Sequence, residues 1–246
     1  MGIREDRIFI SKALTLAEAG KGAVSPNPKV GCVLVKNGKI IGEGYHKKFG
    51  GKHAEVVAIQ NAGSGLAGST AYINLEPCCT EGKTPPCTKA LIENKIKKVV
   101  ISMLDPNPKI KGKGVQELKK NGIEVLSGVF EIQARELNKG FIKWITKGIP
   151  WVIGKAAQSF NGYLGMDSSS QTRITNQQCK EDVHRLRSGV DCVLVGRQTI
   201  LTDDPELTVR DIAGRSPKRA VLDSRLSLTQ SYQIFEQTEP ETIVLH

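Results

Sequence analysis

The sequence has no apolar run of about 18 residues, the length needed to cross a bilayer, and this excludes a membrane-spanning helix. Its first twenty residues, MGIREDRIFISKALTLAEAG, mix acids with bases and lack an apolar signal core and a small-residue cleavage site. They are expected to form an amphipathic helix with Ile8, Ala13, Leu14 and Leu16 towards a core. The sixth residue is Asp6, not Ser or Thr, so the Met-Gly start does not support myristoylation. Tandem repeats and low-complexity tracts are also missing, which excludes a repeat array.

Acidic residues are scarce in one part of the chain only. Residues 1–148 carry 24 Lys/Arg against 13 Asp/Glu, a net of +11, whereas residues 149–246 carry 11 against 12, a net of −1. The basic excess suits a phosphate-bearing small substrate or a nucleic acid; a Lys-rich solvated surface is the plain alternative. Hydrophobic residues make up 39% of the 246, enough for a packed core. The six cysteines are Cys32, Cys78, Cys79, Cys87, Cys179 and Cys192. Without a secretion signal they are expected in a reducing cytoplasm. There a tight cysteine cluster is more often metal-binding or catalytic than disulfide-bonded.

Residues 30–45 read as two strands joined by Asn37-Gly38, a strong two-residue hairpin signal. HAEVVAIQNAG reads as a short helix closed by Gly63, STAYINLE as a strand, and PPCTKALIENKI as a helix with prolines at its first turn. KKVVISML, GVQELKKNG and IEVLSG follow as strand, helix and strand, and VFEIQARELNKGFIKWI as one longer helix. TKGIP (146–150) reads as a linker. Beyond it, WVIGKAA, DCVLVG, KRAVLDS and TIVLH read as strands. TNQQCKEDVHRLRSG reads as a helix capped by Asn176 and stopped at Gly189. A hairpin followed by alternating helices and strands predicts an α/β sheet covered by helices.

The chemistry is concentrated between residues 53 and 87. His53-Ala54-Glu55 opens a helix, Pro77-Cys78 closes a strand, and Cys87 opens the next helix. One imidazole and two thiolates are ligands that zinc prefers, and three protein ligands leave a fourth position open to water. Glu55 stands where it can carry protons from that water to a ring nitrogen and a leaving ammonia. His-x-Glu followed by Pro-Cys is the pattern of zinc nucleobase deaminases. A structural zinc half-site or simple buried thiols are the competing readings of Cys78 and Cys87. Cys79 reads as a small neighbour of a ligand rather than as a ligand or half of a vicinal disulfide.

Eight residues, CTEGKTPP, separate Cys78 from Cys87, where nucleoside deaminases have two. Together with SPNPKVGCVLVKNGKIIGEGYH, GGKHAEVVAI, LEPC, GKTPPC and DPNPKIKGKG, this loop closely resembles the bifunctional deaminase–reductase family of bacterial riboflavin biosynthesis. The resemblance continues through KAAQSFNGYLG, RIT, DVHRLRSGVDCVLVGRQTILTDDPELTVR and LDS, and so covers nearly the whole chain. It implies a cytidine-deaminase-like three-layer α/β/α domain over residues 1–146, a linker at 147–150 and a partial dihydrofolate-reductase-like α/β domain over 151–246. The implied reaction is zinc-dependent hydrolysis of the 2-amino group of 2,5-diamino-6-ribosylamino-4(3H)-pyrimidinone 5′-phosphate. NADPH reduction of the ribosyl group to ribityl follows in the family.

By the same resemblance, His53, Cys78 and Cys87 would hold zinc and Glu55 would shuttle protons. Asn27, His46, Thr80 and Lys83 would contact the pyrimidine substrate. Lys155, Gln171, Thr175, Arg187, Leu207 and Arg210 would contact the reductase substrate, and Ala157, Arg173, Thr199 and Asp203 would contact NADPH. Three places depart from the pattern: Phe160-Asn161-Gly162 stands where the family has a Leu-Asp-Gly turn, and two single positions differ. Thr80 stands where the family has a substrate-contacting His, and Arg173 where it has a Trp beside the nicotinamide. The family also continues past the position of His246, so an incomplete reductase half with little activity is expected, or one completed by a separate polypeptide. A homo-oligomer is expected as well. Two rival readings remain: an RNA- or nucleoside-acting zinc deaminase, and a non-catalytic split-gene remnant that keeps the fold.

Overall fold

A computed structural model describes residues 2–81, 85–165 and 172–246. The chain divides into two compact units, one ending at Val152 and the other beginning at Ile153.

In the first unit the amphipathic start forms α1 (Ile3–Glu18). Its buried face runs through Asp6, Ile10, Ala13 and Ala17, at the three-to-four spacing of a helix. Leu14 and Leu16 pack partly against the same cluster. Ile8, expected in the core, is 59% exposed. At about 100° per residue it lies about 200° round the helix from both Asp6 and Ile10. The buried face instead admits a carboxylate. Asp6 accepts a hydrogen bond from the Tyr72 hydroxyl at 2.9 Å and another from Lys98 Nζ at 3.0 Å.

Strands β1 (Gly31–Lys36) and β2 (Lys39–Tyr45) form the expected hairpin. Asn37 and Gly38 have φ of 51° and 73°, the left-handed values that a two-residue primed turn requires. With β3 (Thr70–Leu75), β4 (Lys98–Met103) and β5 (Glu124–Ser127) they build one sheet in the order β2-β1-β3-β4-β5. Pairing is antiparallel from β2 to β3 and parallel from β3 to β5.

Alternation along the strands sends side chains to two cores. Cys32, Leu34, Ile73 and Ile101 meet α2 (Ala54–Ala62), α3 (Cys87–Glu93) and α4 (Lys113–Lys120). Val33, Val35, Tyr72 and Val100 meet α1 and the residues that lead into α5 (Glu131–Leu137). The result is a three-layer α/β/α unit. Two glycines bring α2 directly onto β2. A Cβ at Gly42 would lie 2.4 Å from the Ala58 carbonyl oxygen, and one at Gly44 would lie 2.5 Å from the Ala58 nitrogen.

The single helix expected over residues 129–145 is two helices, α5 and α6 (Lys139–Lys147). Asn138 interrupts them, with φ −109° and ψ 18°. Its buried amide accepts from the Lys29 N–H at 2.8 Å and donates to the Lys29 carbonyl at 3.0 Å. A side chain that satisfies both backbone groups of a remote loop offsets the helical continuity lost there.

In the second unit, α7 (Gln177–Ser188) starts as expected. Asn176 Oδ1 accepts from the Cys179 N–H at 2.9 Å, and the helix stops at Gly189. Strands β6 (Cys192–Gly196), β7 (Lys218–Leu222) and β8 (Thr242–Leu245) form a parallel sheet in that order. Ile200 of α8 (Arg197–Asp203) and Ile234 of α9 (Gln233–Glu236) pack with Leu207 and Val221 beneath it. The strand expected at WVIGKAA (151–157) has no ladder partner among the described residues. An extended segment becomes a strand only where a neighbour takes its hydrogen bonds. Helix α8 escaped the sequence reading because Ile200 is its one fully buried residue, too little for a visible period.

Candidate metal and catalytic centre

His53 is the residue that precedes α2, Glu55 lies in the first turn of that helix, Cys78 follows β3, and Cys87 is the first residue of α3. His53 Nδ1 lies 3.2 Å from Cys87 Sγ and 3.5 Å from Cys78 Sγ. The three donor atoms all fall within 4.8 Å of one another. The start of α3 also holds Cys78 directly. The Cys87 N–H donates to Cys78 Sγ at 3.4 Å, and the Thr88 N–H and hydroxyl donate to the Cys78 carbonyl at 3.1 and 3.3 Å.

The local field matches a thiolate site. The Cys78 thiol is pulled down to about 4, first by its hydrogen bond from Cys87 and then by His53. Cys87 is pushed up, because it shares a proton with Cys78 and is buried. His53 is raised, chiefly by its contact with Cys78. Burial pushes Glu55 up to about 6, with the Cys78 charge adding to it. Two cysteines that compete for one proton and a histidine turned towards both sulfurs form a donor set that lacks only a positive charge. Zinc fits it. Tetrahedral bonds of about 2.3 Å to sulfur and about 2.0 Å to nitrogen set N···S spacings near 3.5 Å, close to the distances found.

His46 stands beside the centre, its ring edge-on to that of His53 with 5.5 Å between centroids, and Asn27 is bonded to it. His46 Nδ1 lies 3.0 Å from the Lys52 carbonyl, which can only accept, so Nδ1 carries the proton. Burial lowers the pKa of His46, which keeps the ring neutral and leaves Nε2 to accept from Asn27 Nδ2 at 3.2 Å. The Asn27 oxygen is thereby turned away from His46. Thr80 is exposed on the loop two residues beyond Cys78. Lys83 and Gln171 lie outside the described residues.

Two supporting residues escaped the sequence reading. Asn74 is fully buried; its Oδ1 accepts from the Gly31 N–H at 2.8 Å and its Nδ2 donates to the Lys29 carbonyl at 3.0 Å. The Glu76 carboxylate is buried two residues before Cys78 and accepts three backbone N–H groups. Both lie in YINLEPC, where their side chains contact segments remote in sequence. No local pattern marks such partners.

In the second unit, Arg187, Leu207 and Arg210 come together. Arg187 donates to the Thr208 carbonyl and Arg210 Nη1 to the Thr208 hydroxyl at 3.2 Å. Burial and then the nearby Arg210 charge lower the pKa of Arg187, while Glu206 faces Arg210 Nη1 at 3.5 Å. Leu207 is buried at a left-handed φ of 57°, an uncommon conformation for a branched residue, and the preceding carbonyl accepts from the buried Arg219 at 3.4 Å. Thr199 and Asp203 share one face of α8, which opens directly after the carboxyl end of β6. Open parallel sheets take ligands beyond the carboxyl ends of their strands, the end at which α8 starts. Lys155, Arg173 and Thr175 are exposed and Ala157 is half-buried, all on segments without regular structure.

Comparison with known families agrees with both halves. Residues 3–103 match the cytidine and deoxycytidylate deaminase zinc-binding region, and residues 150–246 match the RibD C-terminal domain. The riboflavin biosynthesis protein RibD of Aquifex aeolicus is 46% identical over 245 residues, which cover 99% of this chain and 69% of that protein. The Escherichia coli K12 protein of the same name is 41% identical over 246 residues, which cover 95% and 67%. The crystal structure of a diaminohydroxyphosphoribosylaminopyrimidine deaminase/5-amino-6-(5-phosphoribosylamino)uracil reductase from Thermotoga maritima superposes with a TM-score of 0.94. It is 42% identical, and the match covers 98% of this chain and 70% of that one. The chain thus spans about two thirds of the length of these relatives. With both halves matched in order, the chain belongs to the RibD family of riboflavin biosynthesis proteins, zinc-dependent pyrimidine deaminases joined to a reductase.

Proposed function

We propose that His53, Cys78 and Cys87 hold the catalytic zinc and that Glu55 is the proton carrier of the deaminase reaction. The observation that carries this is the convergence of one imidazole nitrogen and two sulfurs within 4.8 Å, with a buried carboxyl two residues from the histidine. Bound there, zinc supplies a water acidic enough to ionise near neutral pH. Glu55 would take one proton from the water and deliver it to a pyrimidine ring nitrogen, then carry the second, from the hydroxyl now on the carbon, to the departing ammonia. Burial of its carboxyl favours the protonated form, which suits a group that must both take and give a proton.

The substrate is the phosphorylated diaminopyrimidine, and the product is the aminouracil. Asn27 and neutral His46 orient the ring, and Thr80 contributes a hydroxyl where the family has a histidine. Lys83 takes the phosphate, which the +11 net charge of residues 1–148 draws in. The deaminase reaction occupies residues 1–146, and residues 151–246 form the reductase half. There Arg187, Leu207, Arg210, Lys155, Gln171 and Thr175 take the phosphorylated product. Ala157, Arg173, Thr199 and Asp203 face NADPH, which supplies a hydride when bound.

Among the described residues no helix is long and apolar enough to cross a membrane. The six unpaired thiols support a cytoplasmic location, where a reducing milieu keeps Cys78 and Cys87 available as ligands. We assign a homo-oligomer as the working form, checked by light scattering. The substrate assignment is tested by giving the zinc-loaded chain the phosphorylated diaminopyrimidine, cytidine and a transfer RNA in parallel. Ammonia from the first alone supports it; ammonia from the nucleoside or the RNA alone contradicts it.

A further inference from the structure

The Glu76 carboxylate is only 3% exposed, yet it makes no ion pair among the described residues. Its oxygens are taken up by backbone. Oε2 accepts from the Asp105 N–H and the Gly112 N–H, each at 2.9 Å, and Oε1 accepts from the Val115 N–H at 3.0 Å. Gly112 and Val115 frame the start of α4, whose unpaired N–H groups and dipole favour a negative charge. The Glu76 N–H in turn donates to the Met103 carbonyl at 2.9 Å. One residue therefore ties the end of β3 to both ends of the 104–115 segment.

The packing on the other side of that joint is equally tight. A Cβ at Gly114 would lie 2.2 Å from the Pro77 carbonyl oxygen and 3.2 Å from Glu76 Oε1. Only glycine lets α4 lie directly against the peptide that leads into Cys78. Asp105, held through its N–H by Glu76, accepts from the Asn107 N–H at 2.8 Å and so fixes the next turn of the loop. Glu76 thus acts on Cys78 from one side while the start of α3 acts on it from the other.

We propose that Glu76 is a positioning residue of the deaminase centre: its carboxylate locks the Cys78 ligand and the 105–115 loop into one frame. The proposal rests on the zinc deaminase reading and extends it to a residue that touches neither metal nor substrate. Glutamine has the same shape but presents an NH2 to one of the three N–H groups, so the lock is broken without a cavity.

The test measures zinc affinity by competition with a chromophoric chelator and records the visible spectrum of the cobalt-substituted full chain. The proteins compared are wild type, Glu76→Gln, Gly114→Ala and Tyr72→Phe, the last a destabilised control in the core away from the centre. Outer residues that orient ligands typically change metal affinity by about 10- to 100-fold. Glu76→Gln and Gly114→Ala are expected to weaken zinc by about tenfold or more and to shift the cobalt bands, with Tyr72→Phe matching wild type. Should Glu76→Gln fail to fold, Gly114→Ala decides, because it moves the same frame with the carboxylate intact. Wild-type affinity and spectrum in the folded variants would overturn the role of Glu76 alone. A wild-type chain that binds no zinc would overturn the reading beneath it, and this one with it.

Discussion

His53 Nδ1 stands 3.2 Å from Cys87 Sγ across 34 residues of chain. Neither residue reaches the other through local structure. The histidine is held at the head of α2, which lies on β2 because Gly42 and Gly44 carry no side chain there. The cysteine is held at the head of α3, which is anchored to the Cys78 loop by three hydrogen bonds.

Metal removal is the first prediction. Dialysis against a strong chelator should abolish ammonia release, and added zinc should restore it. His53→Ala or Cys87→Ala should lower zinc content far below one per chain, read by atomic absorption. Because binding stabilises only the folded state, the zinc-loaded chain should melt higher than the stripped chain.

Asn138→Ala should loosen the loop that carries Asn27. It removes the partner of the Lys29 N–H and one of two donors to the Lys29 carbonyl. A buried donor left unsatisfied costs about 1–3 kcal/mol, measurable as a lower denaturant midpoint. KM for the pyrimidine should rise more than kcat falls, since Asn27 is assigned to binding.

Tyr72 predicts an alkaline weakness. Burial, and then its hydrogen bond to Asp6, raise its pKa well above the ordinary value. An unfolded tyrosine releases its proton near about 10. Above that pH the unfolded chain binds fewer protons than the folded one, so stability is held below about 10 and falls as pH rises further. Urea titrations from pH 8 to 11 should show a steeper loss for wild type than for Tyr72→Phe. Equal slopes would contradict the assignment.

What the sequence disclosed was whatever a local pattern records. The Asn37-Gly38 turn and the Asn176 cap both follow from the chemistry of neighbouring residues. His53, Glu55, Cys78 and Cys87 stood out because few other chemistries need a His-x-Glu and a Cys at two helix starts with a second Cys just after a strand. Buried polar residues stayed hidden. Asp6, Asn74, Glu76 and Asn138 look like surface or turn residues in sequence, yet each is buried against a partner far along the chain. Asn138 even breaks a helix whose apolar period continues through it. Periodicity reports which face is buried; it carries no information on which distant backbone group awaits a side chain.

The central claim is that Glu55 moves the proton in a zinc site built by His53, Cys78 and Cys87. Its most direct test is ammonia release from the phosphorylated diaminopyrimidine by zinc-loaded wild type and by Glu55→Gln, with zinc content measured in the same samples. The account predicts equal zinc in both and a rate about 10²- to 10⁴-fold lower in the variant, the range of general acid–base catalysis. A Glu55→Gln chain that keeps its zinc and releases ammonia at the wild-type rate would contradict it.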